Sequence, residues 1–247
     1  MMDVKRFRLF AGPNGSGKST LFESLRENGE IHTEIYISAD RIEAQIKSTG
    51  IFYFNAYRVS ATQEGFEKFS NSITSTEYFP IDKINKSIEI KSGVLSIKKK
   101  QLSLNSYIAS VIAAYLTDLL LKTDQSFCLE TVMSHQSKIE ILKKANKAGF
   151  KTYLYFVCTE NRELNVERVK LREEAGGHGV PEDKIKSRYD RSLSHLQSAI
   201  ENVSVYYLID NSDEFKLLVH GENGKILYKL AILPIYIQKF YTPKIEE

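Results

Sequence analysis

The first twenty residues contain a segment whose glycines and polar side chains suit the binding of a phosphate chain. It reads Gly12-Pro13-Asn14-Gly15-Ser16-Gly17-Lys18-Ser19, followed by Thr20, and it satisfies the pattern G-x-x-x-x-G-K-[ST]. Glycines let successive backbone N–H groups turn inward, and the helix that follows adds partial positive charge. Lys18 would reach the β- and γ-phosphates of a nucleotide, and the Ser19 hydroxyl would ligate Mg²⁺. The segment from Gly12 to Thr20 therefore predicts a nucleotide site with Mg²⁺.

Carboxylates follow two other apolar runs. Asp40 follows the predicted strand Glu34–Ser38, and Glu130 with Thr131 ends the run that begins at Ser126. Ligands of an open parallel sheet bind outside the carboxyl ends of its strands, so these side chains are expected to face the same crevice as the loop. Asp40 is interpreted as the base that accepts the proton of an attacking hydroxyl, with a helix N-cap as the competing interpretation. Glu130 and Thr131 are assigned to Mg²⁺ through water or to the acceptor, or else to a structural strand end.

Two pairs of arginines bracket a glycine-rich turn in the second half of the chain. Arg168 and Arg172 lie four residues apart in a helical segment and share one face, and Arg188 and Arg191 follow the turn. Guanidinium groups delivered by a closing lid would stabilise the charge that spreads over a transferring phosphoryl group. The competing interpretation is ion pairing on helix surfaces. We expect residues 160–192 to form such a lid.

Motifs that would assign the loop to other nucleotide-dependent proteins are absent from the sequence. The guanine-reading pattern N-K-x-D does not occur, because the Asn-Lys pairs at 85 and 146 continue differently, and this argues against a switch GTPase. No aliphatic run ends in Asp-Glu as in hydrolytic motors, and the nearest segment is Phe127–Thr131. The combination favours transfer of a phosphoryl group to an acceptor.

Short apolar runs alternate with longer segments of helical period. This order predicts an α/β fold of the P-loop NTPase, nucleotide-kinase-like type, with a parallel sheet flanked by helices. The predicted strands are Phe7–Ala11, Glu34–Ser38, Ser126–Leu129, Thr152–Cys158 and Val205–Ile209. Helices are predicted over Tyr107–Leu121, over Lys138–Lys147 and from Pro181 to Ile200. We expect a single kinase domain over 1–247, with an inserted cap at 50–100 and a C-terminal β-hairpin at 213–232.

The overall composition is that of an ordinary globular protein. With 34 Lys and Arg against 31 Asp and Glu, the formal charge of +3 argues against nucleic acid as a partner of the whole surface. Cys128 and Cys158 lie in apolar runs and are interpreted as small buried hydrophobic residues, which fits a reducing compartment. The N-terminus lacks a signal-peptide pattern, and the longest apolar stretch is shorter than a membrane span. We therefore expect a cytoplasmic protein without a membrane partner.

Several segments together resemble the zeta-toxin family of P-loop kinases. They are AGPNGSGKST, ISAD, LETVMSH, NVERVKLREEAGGHGVPEDKIKSRYDRSL and LIDNS, and the match covers about Lys5–Asp40 and Ser126–Asp213. The resemblance implies a kinase that depends on ATP and Mg²⁺. The better-known toxins of this family phosphorylate UDP-activated amino sugars and are held inactive by a small partner antitoxin. A small-molecule acceptor and an antitoxin protein are therefore the partners that the resemblance implies.

The family's functional residues can be carried over position by position. Lys18 and Ser19 match the phosphate-loop residues, Asp40 matches the base that activates the sugar hydroxyl, and Arg168 and Arg172 match the γ-phosphate arginines. Glu130 and Thr131 fall at the acceptor site, where Arg188 is also placed.

The sequence thus favours a zeta-toxin-like kinase, and two other functions compete with it. A polynucleotide or nucleotide kinase would need a basic, aromatic-lined groove that leads to Asp40. A nucleotide-gated binding module would keep the loop and perform no transfer.

Overall fold

The computed structural model describes residues 4–73, 81–98, 106–177 and 179–242. In these ranges the strands are β1 (Arg6–Ala11), β2 (Tyr36–Ile37), β3 (Ile51–Tyr53), β4 (Ile88–Lys91), β5 (Val94–Ile97), β6 (Phe127–Thr131), β7 (Lys151–Cys158), β8 (Val205–Asp210), β9 (Lys216–Glu222) and β10 (Lys225–Lys229). The helices are α1 (Lys18–Glu27), α2 (Ala39–Thr49), α3 (Gln63–Asn71), α4 (Ile81–Ser87), α5 (Ser106–Leu120), α6 (Ser137–Lys147), α7 (Arg162–Glu174), α8 (Glu182–Ser194), α9 (Leu196–Ile200) and α10 (Ile235–Gln238). The chain divides into two compact units, unit 1 (Met1–Glu34 with Ser126–Glu247) and unit 2 (Ile35–Gln125).

Unit 1 is built on a mostly parallel sheet. Its strands lie in the order β10-β9-β8-β7-β1-β6, and β6, β1, β7 and β8 run parallel to one another. β9 and β10 extend the sheet as an antiparallel C-terminal hairpin. Helix α1 packs against β1, and α6 and α9 pack against β7. The predicted α/β fold, a largely parallel sheet flanked by helices with a hairpin at its end, is confirmed.

The central strand β1 delivers the phosphate loop to one edge of this sheet. Every residue of β1 after Arg6 is buried, as is typical of a parallel strand covered on both faces. Ala11, the last residue of β1, lies in register with Thr131 of β6 and Phe156 of β7. Because these strands and β8 are parallel, the loops that follow all four of them open at the same edge.

Unit 2 has a core of its own. Strands β3, β5 and β4 form an antiparallel sheet in that order, and the apolar helix α5 packs against α2. The ring of Tyr115 on α5 lies 5.4 to 5.5 Å from the rings of Phe54, Phe66 and Phe69. Aromatic contacts therefore organise much of the expected 50–100 insertion, of which residues 74–80 and 99–100 lie outside the described residues. Neither α5 nor any other helix in the described ranges combines the length and apolarity needed to cross a bilayer.

Two predicted elements differ from those observed. The strand predicted over Glu34–Ser38 is limited to β2, because Ser38 has the extended conformation of the N-cap of α2, with φ −136° and ψ 128°. The helix predicted from Pro181 to Ile200 is interrupted at His195, which ends α8 and serves as the N-cap of α9.

The two cysteines are free and buried, as predicted. Burial raises the pKa of the Cys128 thiol to about 12, and it also raises the pKa of the Cys158 thiol. Both side chains therefore remain neutral at ordinary pH and pack as small apolar groups.

Candidate functional site

The phosphate loop adopts a backbone conformation that depends on its glycines. Gly12, Gly15 and Gly17 have φ angles of 137°, 75° and 95°, a region that residues with a side chain rarely adopt. Space is restricted as well, because a Cβ on Gly12 would collide with the Val157 carbonyl. A Cβ on Gly15 would lie 2.7 Å from the carbonyl oxygen of Asn165. Since α1 begins directly after Gly17, the loop leads into the positive end of that helix.

Two asparagines outside the motif brace the loop. Asn165 of α7 donates from Nδ2 to the Asn14 carbonyl, and its own Oδ1 accepts from Thr159 Oγ1. Asn211, directly after β8, donates from Nδ2 to the Ser16 carbonyl at 2.8 Å. A trans peptide is planar, so the N–H group next to each of these carbonyls points to the opposite side, away from the asparagine. The bracing therefore turns loop N–H groups toward the side where an anion would bind.

The interior of the loop is polar and buried. Lys18 is 6% exposed, and its Nζ donates to the Pro13 carbonyl at 2.7 Å. Ser16 Oγ and Asn14 Oδ1 are buried and have no hydrogen-bond partner within the described residues. Buried polar atoms in proteins are nearly always hydrogen-bonded, and the Ser16 hydroxyl can donate, so this orphaned group in the same loop as the Lys18 ammonium fits an anionic ligand. A phosphate chain meets this requirement.

The Ser19 hydroxyl and the Glu130 carboxylate meet at the rim of the loop. Ser19 Oγ donates to Glu130 Oε2 at 2.8 Å, although the two residues are 111 positions apart in sequence. Mg²⁺ on a nucleotide takes one or two protein oxygens and completes its octahedral shell with phosphate oxygens and water. No group of three or more His, Cys, Asp or Glu side chains that could hold a metal occurs in the part of the chain that the structure describes. The donor set fits Mg²⁺ bound together with a nucleotide.

Thr131 shapes the turn that follows β6. Its Oγ1 accepts the N–H of Met133 at 3.2 Å. Met133 is buried and has a φ of 55°, an uncommon conformation for a residue with a long side chain. This bond is the structural strand-end role that was one of the two expected for Thr131.

Arg168 supports the loop that follows β8. Its Nη1 and Nη2 donate to the carbonyl oxygens of Asn211 and Ser212 at 2.6 and 3.0 Å. Both of the guanidinium's terminal nitrogens are therefore used to hold backbone. Since Asn211 in turn binds the Ser16 carbonyl, Arg168 is connected to the phosphate loop through one intermediate residue.

Asp210 fixes the same loop from its other side. Its Oδ1 accepts from the N–H and the hydroxyl of Ser212 at 3.0 and 2.6 Å, and from the Tyr236 hydroxyl at 2.7 Å. Burial, followed by the neighbouring Cys158 and Asp210, raises the pKa of Tyr236, so its hydroxyl stays protonated and available as a donor. The loop is thus tied to the sheet, to α7 and to the C-terminal helix α10.

The other expected cations lie on α7 and α8. Arg172 is exposed in the last turn of α7, and Arg188 is half-buried on α8. Within the described residues Arg188 makes neither a hydrogen bond nor an ion pair, so surface ion pairing does not account for it. An apolar cluster that includes Val169 and Ile185 joins the two helices. The helix that braces the phosphate loop therefore also packs against the helix that carries Arg188.

Asp40 lies in unit 2, in the first turn of α2. Ser38 is the N-cap of this helix, so the interpretation of Asp40 as the N-cap is wrong. Because β2 ends at Ile37, Asp40 belongs to the helix and not to the strand end. A carboxylate in the first turn of a helix interacts favourably with the helix dipole. Its role as the base stays a prediction.

Solved structures of other proteins share this architecture. A crystal structure of the AvrRxo1-ORF1:-ORF2 complex aligns with a TM-score of 0.59 and 14% identity over 98% of this chain and 65% of the other. A structure from the PezAT chromosomal toxin-antitoxin system of Streptococcus pneumoniae aligns with a TM-score of 0.52 and 10% identity, over 100% of this chain and 81% of the other. The chain therefore shares the fold of these two solved structures.

The shared fold confirms the resemblance to the zeta-toxin family that the motifs indicate. An uncharacterized protein of Haemophilus influenzae (strain ATCC 51907 / DSM 11121 / KW20 / Rd) is 35% identical over 69 residues, or 28% of this chain and 49% of that protein. The chain thus matches about half the length of that relative and 65% of the AvrRxo1-ORF1:-ORF2 chain. No family model matches the sequence.

The residues that brace the phosphate loop were missed by the sequence analysis. Asn211 carried a signal, because it lies two residues after the predicted strand Val205–Ile209 and was therefore expected at the same edge as the phosphate loop. Asn165 carried a weaker one, since asparagine is unfavourable inside a helix unless its amide has a partner. Thr159, which follows β7, had the same strand-end signal as Asn211.

Proposed function

We propose that the chain is an ATP-dependent phosphotransferase that moves the γ-phosphate of ATP to an alcohol group of a small acceptor. The observation that carries the proposal is the braced phosphate loop with Ser19 bound to Glu130 at its rim. A structural neighbour, AvrRxo1-ORF1:-ORF2, was solved with ATP, which supports ATP as the nucleotide. The resemblance to the zeta-toxin family implies the same phosphate donor.

The loop would bind the phosphates and Mg²⁺. Backbone N–H groups between Gly12 and Thr20, together with the Lys18 ammonium, would offset the charge of the β- and γ-phosphates. Ser19 and Glu130 would hold Mg²⁺, directly or through water. Mg²⁺ held by these two side chains would supply positive charge that offsets the charge developing on the phosphates during transfer. Lys18 is already held at the loop by its bond to a loop carbonyl, so little ordering of its side chain is needed when nucleotide binds.

The transfer step would use a base and cationic side chains. The acceptor oxygen attacks the γ-phosphorus, the bond from that phosphorus to the bridging oxygen breaks as ADP leaves, and the hydroxyl proton passes to the Asp40 carboxylate. Arg172 and Arg188 would donate to the transferring oxygens, and the absence of a protein partner for the half-buried Arg188 among the described residues supports this role. Arg168 would act through the loop after β8, because its terminal nitrogens hold that loop's carbonyls.

The acceptor and partner are proposed from the family resemblance. A UDP-activated amino sugar is the acceptor we propose, with Glu130, Thr131 and Arg188 at its binding site. The PezAT neighbour comes from a toxin-antitoxin system, and the AvrRxo1 neighbour was solved as an ORF1:ORF2 complex, which supports an antitoxin protein as partner. We propose the cytoplasm, where ATP and such sugars occur together, as the place of action.

The test is ADP release that depends on an acceptor. With Mg²⁺, ATP and UDP-N-acetylglucosamine, the wild-type protein should release ADP faster than with ATP alone. Asp40→Asn should lower the acceptor-dependent rate by about 10² to 10⁴, the contribution of a general base, while ATP binding is retained. Asp82→Asn removes the first-turn aspartate of α4 in the same unit and serves as the matched control, with activity unchanged.

Two results would overturn the proposal. Asp40→Asn activity equal to that of the wild-type protein would exclude Asp40 as the base. Equal ADP release with and without any hydroxyl acceptor would identify hydrolysis in place of transfer.

A further inference from the structure

An exposed aromatic ring lies against the phosphate loop. Phe215 is 37% exposed, and its Cζ lies 3.3 Å from the position that a Cβ on Gly17 would occupy. Gly17 is the residue that precedes α1, so this ring forms part of the rim where the loop meets the positive end of the helix. A single exposed apolar side chain is common on protein surfaces, so it is the position of this ring against the phosphate loop that points to a role.

Phe215 belongs to a short loop that is held firmly in place. Asp210 and Lys216 are in register as the last pair of β8 and β9, so residues 211–215 form the whole connection. Asn211 is bound to the phosphate loop, and Ser212 Oγ accepts the N–H of Glu160 at 2.8 Å. Arg168 and Asp210 fix the same residues from two further directions. The ring is therefore presented from a preorganised support, and a ligand that stacks on it has little loop entropy to overcome.

We propose that Phe215 is the stacking platform for the base of the bound nucleotide. This inference rests on the proposed function, in which Lys18 and the loop hold the phosphates. The nucleoside end of the same molecule must extend out of the phosphate loop past its rim, and Gly17 with Phe215 forms part of that rim. A purine presents a flat π-face, and stacking on an aromatic ring is favourable and tolerant of base identity. The subsite would therefore accept a purine nucleoside and contribute affinity that an inorganic phosphate chain cannot obtain.

Comparing the affinities for two ligands distinguishes base stacking on Phe215 from a role of Phe215 in supporting the phosphate loop. ATP carries a base and inorganic tripolyphosphate does not, so both are titrated, each with Mg²⁺, against the same proteins. Phe215→Ala should weaken ATP binding about tenfold, within the range measured for base–aromatic stacking, and leave tripolyphosphate binding within about twofold. Phe215→Tyr should retain ATP binding. Tyr228→Ala, which removes a 44% exposed aromatic residue on β10, is the matched control and should change neither affinity.

The absence of tryptophan from the sequence allows a direct optical readout. Phe215→Trp introduces a single tryptophan at the proposed platform, and Tyr228→Trp introduces one at the control position; excitation at the red edge selects tryptophan over the 14 tyrosines of the wild-type chain. ATP should quench the emission of the first variant and not of the second, and tripolyphosphate should quench neither.

The outcomes distinguish the inference from the proposed function. Wild-type affinity for ATP in Phe215→Ala would overturn the inference alone, as would an equal loss of ATP and tripolyphosphate affinity. A wild-type protein that binds neither ligand would overturn the proposed function, and the inference with it.

Discussion

Removing the amide of Asn211 should loosen the phosphate loop without touching any residue of the motif. Asn211→Ala deletes the 2.8 Å bond to the Ser16 carbonyl and leaves that carbonyl without its partner. An unsatisfied polar group in a protein interior costs about 1 to 3 kcal/mol. Without the brace, the free loop can turn this carbonyl toward water, so nucleotide binding must restore the braced conformation at a cost of the same order. Since 1.4 kcal/mol corresponds to a factor of ten, the affinity for Mg²⁺-ATP should fall about tenfold. Tripolyphosphate affinity should fall by a similar factor, because the change affects the phosphate cradle.

The chain provides a matched control for this variant. Asn202 donates from Nδ2 to the Ser198 carbonyl, also at 2.8 Å, at the end of α9. Asn202→Ala should therefore lower the free energy of unfolding to a comparable extent and leave both affinities unchanged. Asn211→Asp should weaken binding more than Asn211→Ala, because a carboxylate oxygen would replace the donor opposite a carbonyl oxygen and would add negative charge beside the phosphates.

Isothermal titration of the three variants with ATP and with tripolyphosphate, alongside urea unfolding, measures both effects. Asn211→Ala with wild-type affinity for both ligands would refute the reasoning that the asparagine brace orients the loop. A loss of affinity in Asn202→Ala equal to that in Asn211→Ala would refute it too, since the effect would then be one of general stability.

Three further predictions follow from the same contacts. Gly17→Ala should abolish nucleotide binding, and Gly29→Ala should not. Both glycines have positive φ, but only a Cβ on Gly17 meets a neighbour, the amide of Asn211. Equal effects of the two variants in a nucleotide titration would contradict this prediction. Arg168→Lys should weaken ATP binding severalfold and change kcat little, since a lysine cannot bind two carbonyl oxygens as the guanidinium does. A large fall in kcat with unchanged ATP affinity would instead assign Arg168 to the transferring phosphoryl group. Burial raises the pKa of Cys128 to about 12, so the unfolded chain loses that proton first as pH rises. Cys128 alone should lower the free energy of unfolding by about 1.4 kcal/mol per pH unit above roughly pH 9, and Cys158 should add a fall of its own. Urea unfolding at about pH 8 and about pH 10 measures the total fall, which should be smaller in Cys128→Ala.

The fold and the phosphate loop could be predicted because local sequence specifies them. The loop is one contiguous segment with a fixed pattern, and buried parallel strands such as β1 appear as short apolar runs. The hairpin of β9 and β10 was predictable from two alternating runs around Asn223 and Gly224, both of which have positive φ in the turn.

The rest of the site depends on contacts between distant segments. The bond between Ser19 and Glu130 joins residues 111 positions apart, and that between Asn211 and Ser16 joins residues 195 apart. No local pattern encodes such pairs. The two carbonyl oxygens that Arg168 binds lie 43 and 44 positions away, so helical spacing predicts its shared face with Arg172 but not these contacts. The γ-phosphate role of Arg168 that the family resemblance implies stays a prediction.

Unit 2 was difficult to predict for a different reason. Its helices α3 and α4 and its strands β3, β4 and β5 are short, and aromatic rings from Phe54 and α3 pack around Tyr115. When a core is made from aromatic contacts between short elements, the apolar residues do not recur along the sequence every 2 or every 3.6 residues over a long window. The type of each element is then hard to predict.

The most direct test of the account is ³¹P NMR of a reaction that contains the protein, Mg²⁺-ATP and UDP-N-acetylglucosamine. Phosphoryl transfer predicts that the γ-phosphate resonance of ATP decays while ADP and a new phosphomonoester resonance on the sugar nucleotide grow in equal amounts. Decay of ATP into ADP and inorganic phosphate alone, or an ATP spectrum that does not change with any hydroxyl acceptor, would contradict the central claim.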